Sequence, residues 1–97
     1  MRMKKFAHIN VTVNILKQGN RYIVYSPVLD LSTSGKTKEE ARRRFGEASV
    51  LLIEELDRAG TLGDVLRELG WQQIRNKWSP PKIISRGAVG VRVPVAV

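Results

Sequence analysis

The sequence predicts an α+β fold of two layers, in which helices pack on an antiparallel sheet in the order β-β-β-α(-α)-β. Residues 6–16 alternate apolar and polar side chains as a half-buried strand does, and residues 21–26 form a second predicted strand after a turn. Residues 37–59 repeat apolar side chains at helical spacing, and residues 82–97 return to strand-like alternation. Strands on both sides of a helical segment favour the α+β class.

The length of the chain, 97 residues, fits one domain with a modest core. We predict a single domain over residues 1–97, with its core in residues 6–70 and a terminal strand segment at residues 82–97. The chain has no cysteine, which excludes disulfides and thiolate metal sites. Residues 1–15 lack the continuous apolar core of a signal peptide, and no apolar run approaches the ~20 residues that cross a bilayer. We therefore expect a cytoplasmic protein with no membrane partner.

The first strand is predicted over residues 6–16, with Ile9, Val11, Val13 and Ile15 on one face. A hairpin turn follows at residues 18–20, because glycine and asparagine tolerate a positive φ.

The second strand is apolar on both faces. Tyr22 and Val24 share one face, and Ile23 and Tyr25 share the other. An apolar face beyond the needs of the core suggests a partner surface, and burial on both sides is the alternative. Ile23 and Tyr25 are therefore candidates for an oligomer interface.

A turn and a capped helix are predicted next. Pro27 ends the second strand because it has no N–H to donate, Leu29 and Leu31 form a short third strand, and residues 32–36 form a turn. Thr37 and Glu40 have the spacing of a capping box, in which the glutamate carboxylate accepts from the Thr37 N–H.

The long helix is predicted to end near residue 59, before Gly60. A shorter helix follows, ended by Gly70, and residues 71–81 are predicted to be a loop. The basic run at residues 42–44 is expected to be solvated surface with glutamate partners.

The last segment alternates valine with small or polar residues. Pro94 places it at a sheet edge or a sheet end, and an unpaired valine-faced edge strand invites aggregation. We therefore predict that the segment pairs within the sheet or across a homodimer. Its interface candidates are Val89, Val91, Val93 and Val95.

The net charge of +8 is concentrated at the two ends of the chain. Residues 1–26 and residues 71–97 each carry five Lys or Arg and no acid. Such a field attracts phosphate backbones or acidic partners, and solubility alone is the alternative. The nucleic-acid candidates in these segments, with Trp71 and Trp78 between them, are Lys4, Lys5, Arg75, Lys77, Lys82, Arg86 and Arg92.

Catalytic chemistry is not predicted. The single histidine, His8, lies on the polar face of the first strand, and no nucleotide-binding motif occurs. Three strands followed by a helix resemble the first half of an RNase H fold, so the core is predicted to be partly RNase H-like. Two-metal nucleases need several converging carboxylates, and the first two strands contain none. We predict no enzyme activity, no catalytic or metal-binding residue and no cofactor.

The run YIVYSPVLDLSTSGKTKEEARRRFGEA, residues 22–48, resembles the small antitoxins of the HicB family. The resemblance covers residues 6–56. The residues that match the family's pattern, most of them in structural positions, are Tyr22, Pro27, Leu29, Asp30, Gly35, Thr37, Glu40, Ala41 and Ala48.

This resemblance implies a β-β-β-α core with a further strand, assembly into a dimer or tetramer, and membership of a toxin–antitoxin system. The partner it implies is a HicA-type RNA-cleaving toxin, whose active surface the antitoxin covers. The chain departs from the family at Val28, where an acid is usual, at Lys36, where aspartate is usual, and in its basic charge. The alternative function is a basic protein that binds RNA or DNA through its acid-free terminal segments.

Overall fold

The structure, a computed structural model, describes residues 6–96 and has the predicted α+β fold. The described elements are β1 (Asn14–Gln18), β2 (Arg21–Ser26), β3 (Leu31–Gly35), α1 (Lys38–Arg58), α2 (Leu62–Glu68), β4 (Gln72–Ile74) and β5 (Lys77–Ser79). Strands β1, β2 and β3 form an antiparallel sheet in chain order, and β4 and β5 form a separate hairpin. Lys4 and Lys5 lie outside the described residues.

Strand β1 is shorter than predicted. The turn at Gly19, which has a φ of 59°, pairs Gln18 with Arg21, and the register then ends at Asn14 opposite Tyr25. Residues 6–13 run past the end of β2 and have no strand partner among the described residues, so the predicted start at residue 6 is wrong. This segment, the amino-terminal arm, still packs Val11 and Val13 against the core.

Strand β3 is displaced from its predicted position. The chain reverses over residues 27–30, where Asp30 takes a left-handed φ of 49°, and β3 then pairs with β2 from Tyr22 to Ser26. The predicted turn at residues 32–36 is wrong. Its serines and threonine suggested a turn, yet Thr33 faces the core opposite Val24 and its hydroxyl donates to the Ala41 carbonyl at 2.9 Å.

The core lies between the sheet and the two helices. Val24 and Ala41 are fully buried, and Phe45 and Leu66 are nearly so. Gly35 allows the close approach of β3 and α1, because a Cβ on Gly35 would lie 2.7 Å from the Ala41 nitrogen. Burial of these apolar side chains is the main favourable term in folding.

The start of α1 has a capping arrangement, with one difference from the prediction. The Thr37 hydroxyl accepts from the Glu40 N–H at 3.0 Å, as expected. The Glu40 carboxylate accepts from the Lys36 N–H at 2.9 Å instead of the Thr37 N–H, and it also pairs with Arg44 at 2.7 Å. The carboxylate therefore joins the turn before the helix to the second turn of the helix.

This arrangement predicts a pH dependence of stability. The Lys36 N–H bond, with help from the charges of Arg44 and Arg43, lowers the pKa of Glu40 below its ordinary value of 4.5. Since the pKa is lower in the folded chain, the contribution of Glu40 to stability is present above the unfolded pKa and is lost as pH falls through the folded pKa.

Glu40→Gln should therefore flatten the loss of stability that begins as pH falls toward the ordinary value of 4.5 and continues below it, measured by urea unfolding at each pH. The control is Glu39→Gln, which removes the exposed neighbouring acid and keeps the contacts of Glu40 with the Lys36 N–H and with Arg44. Identical profiles for the wild type and Glu40→Gln would contradict the assignment.

Both helices end in a Schellman motif. At the end of α1, Gly60 has a φ of 76°, its N–H bonds to the Asp57 carbonyl, and the Thr61 N–H bonds to the Leu56 carbonyl. At the end of α2, the same pattern is formed around Gly70, whose φ is 94°. The predicted helix ends are thus confirmed.

A short hairpin follows α2, where the sequence predicted a loop. Arg75 and Asn76 both have a positive φ, 52° and 64°, as a two-residue type I′ turn requires. The hairpin packs on α2 through Trp78, which lies under the Arg67 guanidinium at 5.3 Å. The sequence signal was weak because arginine stands at the first turn position, where asparagine or glycine is usual.

The carboxyl-terminal segment forms no strand over residues 82–96 and does not pair with the sheet of its own chain. The predicted pairing within the sheet is therefore wrong, and pairing across a homodimer stays a prediction. The radius of gyration is 16.7 Å, above the roughly 12–13 Å of a compact chain of this length, and the longest extent of the molecule is 66 Å. The predicted pairing fails because residues 82–96 are exposed, and no strand in the described part of the chain lies beside them to accept their N–H groups.

Candidate interaction surfaces

The sheet has one face that the helices do not cover. Val24 and Thr33 point toward α1, so their neighbours along the strands point the other way. The register places Leu16 opposite Ile23, Ile23 opposite Ser34, and Tyr25 opposite Ser32. We call this surface, formed by Leu16, Ile23, Tyr25, Ser32 and Ser34, the outer face.

Ile23 and Tyr25, the predicted interface candidates, both lie on the outer face. They are partly buried by their neighbours, and Leu16 is 50 % exposed. Leu16 was not a predicted interface residue, because its position beside Ile23 depends on the strand register. The hairpin turn at residues 18–20 was the signal that could have given this register.

A hydrogen bond fixes the tyrosine of the outer face. The Tyr25 hydroxyl donates to Asp30 Oδ1 at 3.1 Å, and this bond raises the pKa of Tyr25. Asp30 belongs to the sequence motif and has a left-handed turn conformation. Through this hydrogen bond, it fixes the position of the Tyr25 ring. At the other end of the face, Arg21 Nη2 donates to Ser34 Oγ at 3.3 Å. Asp30 and Arg21 thus border a mainly uncharged surface.

Most other motif residues serve the fold. Gly35 and Ala41 form the close contact between β3 and α1, and Thr37 and Glu40 form the helix cap. Leu29 is buried in the core. Three motif residues remain. Pro27 is an exposed turn residue, and Ala48 is a partly buried helix residue. The Tyr22 ring lies near two lysine ammonium groups.

The basic candidates within the described residues are all exposed: Arg75, Lys77, Lys82, Arg86 and Arg92. The structure separates them into two groups, at the hairpin and along the terminal segment. Trp71 is buried, and its indole Nε1 donates to the Val28 carbonyl at 2.7 Å. Trp78 is partly buried under Arg67. Trp71 is thus held in the core, and Arg67 lies over the partly buried ring of Trp78.

The predicted glutamate partners of the basic run are present for two of its three residues. Arg43 pairs with Glu47 at 3.8 Å, and Arg44 pairs with Glu40 at 2.7 Å while Arg44 Nη1 donates to the Ser34 carbonyl. Exposed pairs of this kind contribute a few tenths of a kcal/mol at most.

Residues 6–96 contain no group of three His, Cys, Asp or Glu side chains that could hold a metal ion. His8 is exposed in the amino-terminal arm. A cleft of about 600 Å³ lies between Thr12 and residues 79–86. Neither described helix is long and apolar enough to cross a membrane.

Comparisons with protein-family models, curated proteins and solved structures found no match to this chain. The choice among its surfaces therefore depends on the geometry of the chain itself.

Proposed function

We propose that the chain is a non-enzymatic, HicB-like antitoxin that acts as a homo-oligomer and covers the active surface of a HicA-type RNA-cleaving toxin. The observation that carries this proposal is the outer face, where Leu16, Ile23 and Tyr25 lie together on the side of the sheet away from the helices. Aliphatic and aromatic side chains of this kind form the centres of protein interfaces.

The motif residues support the proposal through the fold. They build the turn, the β3–α1 contact and the helix cap, so they hold the sheet whose other side is the outer face. Asp30 connects the motif to that surface directly, because it accepts the hydrogen bond of Tyr25. The proposed mechanism is steric: the sheet covers the toxin's active surface and contributes no chemical group.

The net charge of the chain is compatible with a basic toxin partner if the contact is made by the outer face. Arg21 and Asp30 border this face, and its centre is uncharged, whereas the excess charge lies elsewhere. An interface of this composition is held by apolar burial, which added salt does not screen. We therefore expect the complex to survive high salt.

Co-expression with the product of the neighbouring gene tests the proposal. That product should arrest growth alone, and the chain should restore growth and co-purify with it. Ile23→Asp should weaken the complex at least about tenfold, because it places a carboxylate in an apolar interface.

The matched control is Ile74→Asp, which changes an isoleucine that is 55 % exposed on the separate hairpin and should leave binding unchanged. Circular dichroism of both variants checks that the fold is kept. A neighbouring product that is harmless alone, together with the absence of a stable complex, would overturn the proposal.

A second candidate function is nucleic-acid binding by the exposed basic residues of the acid-free segment 71–96. The same purification separates the two candidates. RNA or DNA held by these residues would be released steeply as salt is raised, because counterions compete with the basic side chains for the phosphates. A lack of nucleic-acid binding even at low salt would exclude this candidate.

A further inference from the structure

We infer that residues 89–95 of one copy, the valine segment, add as a strand to the free edge of the amino-terminal arm in a second copy. This inference rests on the homo-oligomeric assembly in the proposed function and names the two segments that form it. It does not require that the other partner be a toxin.

The valine segment is apolar and uncovered in the single chain. Its exposed valines, by the exposed fraction of each residue, are Val89 at 87 %, Val91 at 76 %, Val93 at 71 % and Val95 at 84 %. Strand-patterned segments with unpaired backbone groups are templates for pairing with another chain. The segment is therefore available to pair with a strand, and no strand among the described residues 6–96 is paired with it.

Pro94 determines which side of the segment can pair. In an extended strand, the N–H and C=O groups of every second residue point to the same side. Pro94 has no N–H and shares its side with Gly90 and Arg92. Only the side carrying the backbone groups of the valines can form an uninterrupted ladder, so the segment accepts one neighbouring strand and leaves its other side open to solvent.

The two edge strands of the sheet are β1 and β3, and they differ in whether their outward backbone groups already have hydrogen-bond partners. On β3, the Ser34 carbonyl already accepts from Arg44 Nη1 at 3.1 Å. On the other side of the sheet, the amino-terminal arm continues β1 beyond the end of β2, and no strand within residues 6–96 pairs with it. Ile9 is 40 % exposed there, and Val11 and Val13 extend the same apolar face toward the core.

The course of the chain favours a second copy as the source of the added strand. The cleft between Thr12 and residues 79–86 shows that the chain passes beside its own arm before residue 87. The valine segment then continues without pairing to any strand that the structure describes, in a molecule 66 Å long. Across a two-fold axis, each copy can give its valine segment to the arm of the other, which makes a closed and reciprocal dimer.

Charge predicts the salt dependence of this contact. The donating end carries Arg86 and Arg92, and residues 1–26, the sequence segment that contains the receiving arm, carry five Lys or Arg and no acid. Screening of like charges should therefore strengthen the dimer as salt is raised. Nucleic-acid binding by the same residues would show the opposite dependence.

A pair of proline variants tests the inference in the full chain. Val91→Pro removes an N–H from the pairing side and should raise the dimer dissociation constant at least about tenfold, measured by sedimentation equilibrium. Arg92→Pro removes an N–H from the open side and should leave the dimer in place. Arg92→Gln separates the loss of charge from the change of backbone. Equal weakening by the two prolines, or a monomeric wild type at all concentrations and salt levels, would overturn the inference.

Cross-linking identifies the receiving strand, since the chain has no cysteine of its own. Asn10 and Arg92 lie on the non-valine faces of their segments, so a mixture of Asn10→Cys and Arg92→Cys chains should form disulfides between unlike copies. If the two strands pair in a shifted register, Gly90→Cys or Ala96→Cys should form the disulfide with Asn10→Cys in place of Arg92→Cys. Disulfides only between like Arg92→Cys chains would show pairing of two valine segments and would contradict the proposed arrangement. A toxin complex that forms with a monomeric chain would overturn this inference and leave the toxin-binding role intact.

Discussion

Gly35→Ala lowers the free energy of unfolding by about 1–3 kcal/mol in our account, because the added methyl group has no space. The new Cβ would lie 2.7 Å from the Ala41 nitrogen and 3.1 Å from its Cα, and both are backbone atoms of the first turns of α1. To avoid the overlap, β3 must move away from the helix, which disturbs the bond from Thr33 to the Ala41 carbonyl. Urea unfolding followed by circular dichroism measures the change.

The matched control is Gly46→Ala, in α1, the helix that Gly35 contacts. Gly46 is exposed, and a Cβ there would meet no atom within 4 Å, so the variant should gain about 1 kcal/mol from helix propensity. Opposite signs for the two glycine-to-alanine changes are expected. A neutral Gly35→Ala would show that β3 and α1 are farther apart than the structure places them.

Trp71→Ala should destabilise the fold by about 3–5 kcal/mol, because the indole ring is buried among residues of the sheet, the turn and α2. Trp71→Phe keeps most of the apolar surface and removes the N–H that donates to the Val28 carbonyl. Leaving that carbonyl without its partner should cost about 1–3 kcal/mol. Urea titrations of both variants measure these losses.

Trp78→Phe is the control for the tryptophan series. Trp78 is partly buried, and its contact with Arg67 is an exposed cation–π interaction, so the loss should stay below about 1 kcal/mol. If Trp71→Phe were as mild as Trp78→Phe, the 2.7 Å bond would not tie the segment after α2 to the turn between β2 and β3.

The sequence predicted the helices better than the strands. Thr37, Gly60 and Gly70 are local signals, and each sits at a helix end as expected. Strand length instead depends on how far the partner strand extends. Residues 6–13 have a strand's alternation, but β2 stops at Ser26, so the alternation there has no ladder.

The outer face also combines features that one segment predicts with features that depend on contacts between segments. Alternation along β2 was enough to place Ile23 and Tyr25 on one face, away from the core residue Val24. Leu16 joins them only through the register between strands, and the bond from Tyr25 to Asp30 depends on the left-handed turn. These features come from contacts between segments, which periodicity within one segment does not encode.

The most direct test of the central claim is RNA cleavage by the purified product of the neighbouring gene, measured with and without one equivalent of this chain. Cleavage should fall to background with the wild type and with Ile74→Asp, and it should persist with Ile23→Asp. Cleavage that continues at saturating wild-type chain, or that Ile23→Asp inhibits as well as the wild type does, would contradict a toxin-blocking role for the outer face.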